Sequence, residues 1–97
     1  MIRHTVAFRL HHAEGSPAEQ AFLRDALVLA HIPGILGFEQ RREVSPKNDF
    51  RFQFSMEFAD EATYAAYNAH PDHVAFVEGR WVPEVADFIE IDTVELS

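Results

Sequence analysis

The sequence predicts an α+β fold in which two helices are interspersed among four β-strands. Residues 2–10 and 50–58 alternate between apolar and polar side chains, as strands with one buried face do. A Ser-Pro-Ala-Glu sequence beginning at Ser16 and an aspartate at position 60 each precede a helix-like segment. With 97 residues, 47% of them hydrophobic, the chain is long enough for one core, and we expect one domain over residues 1–97.

The first strand is predicted to be half buried. One of its faces is apolar apart from a histidine, while arginine, threonine and alanine occupy the other face. The apolar face comprises Ile2, His4, Val6, Phe8 and Leu10.

The first helix has a clear start. Ser16 can act as the N-cap, Pro17 suits the first helical position, and Glu19 completes a capping box. The helix should run to about His31, where the Pro-Gly pair at 33–34 stops it.

The second and third strands should form a hairpin. Residues 35–44 are predicted as the second strand, 45–49 as the turn, and 50–58 as the third strand. The third strand is the clearest of all, because large apolar side chains fill one face. They are Phe50, Phe52, Phe54, Met56 and Phe58.

The second helix is predicted to break at a proline. Asp60 caps residues 61–69, and the dipeptide His70-Pro71 interrupts the helix because a residue before proline disfavours the α region. Asp72 is then expected to cap a short continuation over residues 73–81.

The last strand, residues 86–96, has Ile89 and Ile91 on one face. The resulting order β-α-β-β-α-β is the ferredoxin-like motif, with a four-stranded antiparallel sheet and both helices on one face. The other sheet face is too polar for a core, and it can be solvated or paired with another surface. On the first and third strands it carries Arg3, Thr5, Ala7, Arg9, Arg51, Gln53, Ser55 and Glu57.

The charge is unevenly distributed. The net charge is −8, and residues 57–97 contain ten acidic residues against one basic residue, Arg80. Such a surface repels phosphate groups, so we expect neither a nucleic acid nor a membrane partner. The chain has no cysteine, no long apolar run and no signal-peptide pattern, which favours the cytoplasm.

Four stretches carry a resemblance to a known family: "IRHTVAFRL", "PGILGFE", "MEFADEATYAAYNAHPDHVAFV" and "IEIDTVEL". Together they resemble the stress-responsive A/B barrel (Dabb) family, whose pattern Tyr-x-x-His-Pro-x-His begins here at Tyr67. The resemblance implies the ferredoxin-like fold. It also implies a homodimer in which two sheets pack face to face, giving a dimeric α/β barrel.

The resemblance also implies a site. In cyclase-like members the positions of His4, Tyr67 and His73 line a substrate cavity, with His73 as the base and Tyr67 binding the substrate. Strand alternation independently points His4 toward the helices, and an imidazole is a suitable base near neutral pH. We therefore predict His73, Tyr67 and His4 as catalytic residues. The predicted pocket lining is Val6, Phe8, Phe52 and Phe54.

Each predicted site residue also has a structural reading. His4 can be a hydrogen-bonded core histidine, and Tyr67 a core aromatic residue with its hydroxyl at the edge. His73 can be a partner of Asp72, and His70 can bond the backbone at the helix junction. A metal site is not expected, because Pro71 breaks the helix between the two histidines and no cysteine is present.

Three functions remain open. The first is a protein that binds a small apolar or aromatic metabolite in a pocket between sheet and helices. The second is a polyketide-cyclase-like enzyme that uses His73 as general base and needs no cofactor. Cyclase-like members carry a further histidine on the third strand, whereas the inward face of residues 50–58 holds only phenylalanine and methionine here. The third is a monooxygenase-like barrel enzyme.

Overall fold

The computed structural model describes all residues from 1 to 97, and its strands and helices follow the predicted order. The chain also contains a 3₁₀-helix, Ala26–His31, and a π-helix, Val77–Trp81. None of the helices has the length and apolar character needed to cross a bilayer. The other elements are β1 (Ile2–Leu10), α1 (Pro17–Asp25), β2 (Leu36–Arg42), β3 (Phe52–Phe58), α2 (Glu61–Ala69), α3 (Pro71–Phe76), α4 (Val82–Glu84) and β4 (Val85–Thr93).

The four strands form one antiparallel sheet in the order β2-β3-β1-β4. In this register His4 lies between Met56 of β3 and Asp92 of β4. Directly opposed residues share a sheet face, so Asp92 faces the helices together with His4. The order confirms the predicted ferredoxin-like arrangement.

The core lies between the sheet and the helices. Thirteen buried residues form it, and the largest fully buried side chains are four phenylalanines and a methionine. Each such side chain stabilises the fold by about 1.5–3 kcal/mol through burial. Phe8 is central, since its ring lies 4.7 Å from Phe54 and 4.9 Å from Trp81 between ring centroids.

The start of α1 is a variant of the predicted capping box, in which the Glu19 carboxylate binds the amide one residue before the N-cap. The Ser16 hydroxyl accepts a hydrogen bond from the Glu19 amide at 3.2 Å, and the Glu19 carboxylate accepts one from the Gly15 amide at 2.9 Å. The α-helix ends at Asp25, and the chain then tightens into the 3₁₀-helix as far as His31. The helical segment therefore ends near His31, as predicted, and its last six residues are in the 3₁₀ form.

The junction between α2 and α3 corrects one detail of the prediction. The break at His70-Pro71 is present, but His70 rather than Asp72 caps the second segment. Its Nδ1 accepts a hydrogen bond from the Asp72 amide at 3.1 Å. The reason is that Pro71 occupies the first helical position, which makes His70 the N-cap.

The open face of the sheet combines polar residues with two isoleucines. Ile89 and Ile91 lie opposite Ala7 and Thr5 of β1, on the side away from the helices. They remain 47% and 51% exposed. An apolar strip therefore borders an otherwise polar face.

Candidate functional site

A cavity of about 310 Å³ lies between the sheet and the segment from α2 to α4. Ten of its thirteen lining residues are hydrophobic, which is the usual character of a small-molecule site. The remaining three are His4, His73 and Glu90. A larger depression, about 520 Å³, lies at the β2–β3 turn, but only two of its nine lining residues are hydrophobic.

His4 is held by two residues that the sequence did not reveal. Its Nδ1 lies 2.6 Å from Asp92 Oδ1, and the Tyr64 hydroxyl donates to Asp92 Oδ2 at 2.9 Å. The same hydroxyl oxygen lies 2.9 Å from His4 Nδ1. Since a carboxylate accepts, Nδ1 of His4 carries a proton, and Nε2 is the nitrogen left for a ligand.

Tyr64 acts as a donor throughout the ordinary pH range. Burial is the main cause that raises its pKa, and the hydrogen bond to Asp92 adds to it. A protonated phenol can therefore keep the Asp92 carboxylate oriented toward His4. Carboxylate and phenol together fix the imidazole in one orientation, as the aspartate does in a catalytic triad.

Tyr67 reaches the cavity from α2. Its side chain is buried, with ring centroids 5.1 Å from Phe58 and 4.6 Å from His73. Burial is the main cause that raises its pKa, and the charge of Glu90 adds to it, so the phenol stays protonated. The Tyr67 hydroxyl forms no hydrogen bond within the chain. Every fully buried side-chain polar atom of the protein has a hydrogen-bond partner, so this hydroxyl is not fully buried. The hydroxyl is thus accessible at the cavity wall and can donate to a ligand.

His73 has one nitrogen committed to the backbone. Its Nδ1 donates to the carbonyl oxygen of Asn68 at 3.1 Å, so Nε2 holds the lone pair in the neutral ring. Burial is the main cause that lowers the pKa of His73. Nearby His4 lowers it further, while the Asn68 carbonyl and Glu90 oppose the change. The ring is therefore neutral at pH 7, which is the form a general base requires.

The break at Pro71 brings Tyr67 and His73 together. The chain leaves the helical path at His70, and α3 then starts in a new direction. As a result Tyr67 near the end of α2 and His73 in α3 border one cavity. His70 itself is used for capping and does not line it.

Of the four residues predicted to line the pocket, Val6 and Phe54 border this cavity, whereas Phe8 and Phe52 do not. Phe8 is fully buried, and Phe52 is 3% exposed, with ring centroids 5.8 Å apart. Both phenylalanines fill the core beside the cavity instead of its wall. The cavity is open because the inward phenylalanines pack against one another and against Trp81.

Several lining residues were not foreseen from the sequence, among them Glu90, Phe88 and Trp81. In β4 the sequence drew attention to Ile89 and Ile91, whereas the register with β1 turns the alternate residues inward. A histidine predicted to face the core needs a partner, and this was the one signal that could have pointed to Asp92.

The fold and the cavity define an α+β protein of the ferredoxin-like class with an apolar cavity between sheet and helices. The sequence matches the Stress responsive A/B Barrel Domain, Dabb, over residues 2–95. The chain belongs to this family. Among curated proteins none matches the sequence significantly.

Three solved structures illustrate the likeness. A Dabb family protein with a ferredoxin-like fold from Mesorhizobium loti is 60% identical, with a TM-score of 0.98 over 99% of this chain and 97% of the other. A dimeric ferredoxin-like protein of unknown function from Thermobifida fusca is 23% identical, with a TM-score of 0.78 over 97% and 90%. A hydroxynitrile lyase from Passiflora edulis is 13% identical, with a TM-score of 0.84 over 99% and 94%. The last two show the shared fold alone.

Proposed function

We propose that the protein is a homodimer that binds a small aromatic or apolar metabolite in the cavity between sheet and helices. The observation that carries this proposal is the convergence of Tyr67, His73 and His4 on one apolar cavity. Apolar walls supply affinity, and a few placed polar groups orient the ligand. The Tyr67 phenol is a donor without a partner in the chain, so the ligand should offer it an acceptor such as a ketone oxygen.

Acetophenone and ethylbenzene form a probe pair for this proposal, because they have similar shapes and only acetophenone has an acceptor. Wild type should bind acetophenone more tightly. Tyr67→Phe should weaken acetophenone binding roughly 3- to 10-fold, as expected for one hydrogen bond of about 0.5–1.5 kcal/mol, and leave ethylbenzene unchanged. Isothermal titration calorimetry of both proteins measures this. Absence of acetophenone binding by wild type would refute the proposal.

The dimer is proposed to form through the open sheet face. Ile89 and Ile91 supply exposed apolar area there, and the surrounding polar side chains can form hydrogen bonds or ion pairs with a second copy. The Thermobifida fusca protein, which has the same fold, is dimeric, and this supports self-association.

A second candidate function is catalysis by His73 as a general base, with Tyr67 and His4 positioning a carbonyl substrate. The hydrogen bond from Nδ1 to Asn68 favours it, because this bond orients the ring and leaves Nε2 as the basic nitrogen. Such a base could remove a proton next to the carbonyl while the Tyr67 phenol donates to the developing enolate oxygen. The Passiflora edulis lyase is an enzyme of the same fold.

Exchange of the methyl protons of acetophenone in D₂O tests this second function without a known substrate. Wild type should accelerate exchange, and His73→Gln should reduce the acceleration by about 10²- to 10⁴-fold, the usual contribution of a positioned base. Proton NMR follows the exchange, and circular dichroism checks that the variant is folded. Equal exchange rates for the two proteins would eliminate His73 as the base.

A further inference from the structure

Glu90 is the only carboxylate among the residues that line the cavity. It lies on β4 opposite Val6, on the side of the sheet that faces the helices. It borders the same cavity as Tyr67 and His73, and no arginine or lysine lines that cavity. No permanently charged cation therefore lies beside this carboxylate.

The two inward carboxylates of β4 differ in their partners. Asp92 accepts hydrogen bonds from His4 and Tyr64. Glu90 is exposed to solvent and forms no ion pair or hydrogen bond with another side chain of the protein. Its charge nevertheless reaches the cavity, since it contributes to the raised pKa of the Tyr67 phenol. Glu90 therefore offers free acceptor atoms to whatever the cavity holds.

We propose that Glu90 selects the ligand by charge, so that the cavity binds neutral aromatic ketones bearing a hydroxyl group and discriminates against aromatic carboxylates. This inference rests on the proposed function, because it concerns ligands of the same cavity. The ketone oxygen accepts from Tyr67, and the ligand hydroxyl donates to Glu90. Hydrogen bonds to an ionised acceptor are stronger than those between neutral groups.

Repulsion supplies the other half of the selectivity. A bound carboxylate would lie beside Glu90 on the cavity wall, and like charges at such short range repel each other, although solvent at the exposed Glu90 screens part of this repulsion. His73 is neutral at pH 7, so it does not compensate. Specificity of this kind combines an attractive contact for one ligand with a repulsive contact for its competitor.

Three probes of one skeleton test the proposal: acetophenone, 3-hydroxyacetophenone and 3-acetylbenzoate. The chain has a single tryptophan, Trp81, which lines the cavity, so its indole N–H resonance gives one reporter signal in an NMR titration at pH 7. We expect wild type to bind 3-hydroxyacetophenone about tenfold or more tightly than 3-acetylbenzoate. Glu90→Gln should reduce the ratio of the two dissociation constants, 3-acetylbenzoate over 3-hydroxyacetophenone, at least about fivefold, mainly through tighter binding of the carboxylate.

Asp87→Asn is the matched control. It removes one negative charge from the same strand, at a position paired with Arg9 on the face away from the cavity. This variant should keep the wild-type ratio. An unchanged ratio in Glu90→Gln, or an equal change in Asp87→Asn, would overturn the role of Glu90 while leaving the proposed binding intact. If wild type binds none of the three probes, the proposed function fails together with the inference.

Discussion

At His73, the burial of one imidazole has a consequence for stability as well as for chemistry. The pKa of this ring is lowered in the folded protein from its ordinary value of 6.5. The unfolded chain then binds more protons than the folded chain in the pH range below 6.5 and above the lowered pKa. The free energy of unfolding must fall as the pH falls through that range, and it is unaffected above it.

His73→Gln should remove this part of the pH dependence. We expect the free energy of unfolding of wild type to decrease relative to that of the variant as the pH is lowered from 7.5 toward 4.5. Urea titrations at steps of pH measure the difference. His11→Gln, in the exposed loop after β1, controls for the loss of one imidazole. If the free energies of unfolding of wild type and His73→Gln differ by a constant amount from pH 7.5 to 4.5, burial does not lower the pKa of His73.

At the same scale, the sequence was informative about some site residues and silent about others. Tyr67, His73 and His4 were predicted from a motif and from strand alternation, and all three border the cavity. Glu90 and Asp92 were not predicted, since their positions depend on the register between β1 and β4. A shift by one residue reverses which side chains of a strand face inward, and nothing within β4 itself sets that register.

At the scale of elements, two glycines near the start of β2 differ in their surroundings: Gly34 lies in the turn before the strand, and Gly37 is the second residue of the strand. Gly34 and Gly37 both have positive φ, at 90° and 59°. A Cβ added at Gly34 would lie 2.4 Å from Thr63 Cγ2 in the first turn of α2, whereas one at Gly37 would meet nothing within 4 Å. Gly34 therefore allows both an unusual backbone conformation and close packing of a turn on a helix.

This difference predicts unequal costs for the same substitution. Gly37→Ala should destabilise the protein by about 1–2 kcal/mol, the cost of a left-handed conformation. Gly34→Ala should cost more, because the contact with Thr63 is added. Thermal unfolding measures both, at roughly 4–8 °C per kcal/mol for a domain of this size.

Thr63→Ser provides the check, since it removes the methyl group but keeps the hydroxyl that donates to Asp60. In the Thr63→Ser background the added cost of Gly34→Ala should disappear, and only the cost of the backbone conformation should remain. If Gly34→Ala and Gly37→Ala are equally destabilising in wild type, the close packing does not contribute.

Most helices and strands were predictable because their signals are local in sequence, as at Ser16. The capping box depends only on neighbours in sequence, so its residues identify it directly. The π-helix Val77–Trp81 was not predicted, and the sequence indicated one continuous short helix there. A π-helix is set by the packing of side chains such as Trp81 against a core assembled from distant strands, and no local pattern encodes that packing.

At the scale of the whole molecule, the open sheet face should determine the oligomeric state. Ile91 lies in the apolar strip of β4 and is 51% exposed. Ile91→Asp should place a charge in the apolar strip of the proposed interface and convert a dimer into a monomer. Size-exclusion chromatography with light scattering measures the mass.

Leu27→Asp is the control for this change. Leu27 lies in the 3₁₀-helix Ala26–His31, on the helical side of the sheet, and is 44% exposed, so its replacement should leave the dimer intact. A monomeric wild type, or an Ile91→Asp variant that stays dimeric, would refute an interface on this face.

The π-helix has a consequence for comparing family members. Each residue in a helix turns the direction of the following side chain by about 100°, and a π-helix holds one more residue in its turn than an α-helix. Loss of one residue from Val77–Trp81 would rotate Trp81 away from its present place in the cavity wall. The length of this segment therefore offers a criterion for grouping relatives. Relatives with the same number of residues between the Tyr67 motif and the aromatic residue at the position of Trp81 should share the shape of this pocket. Relatives one residue shorter in this segment should not.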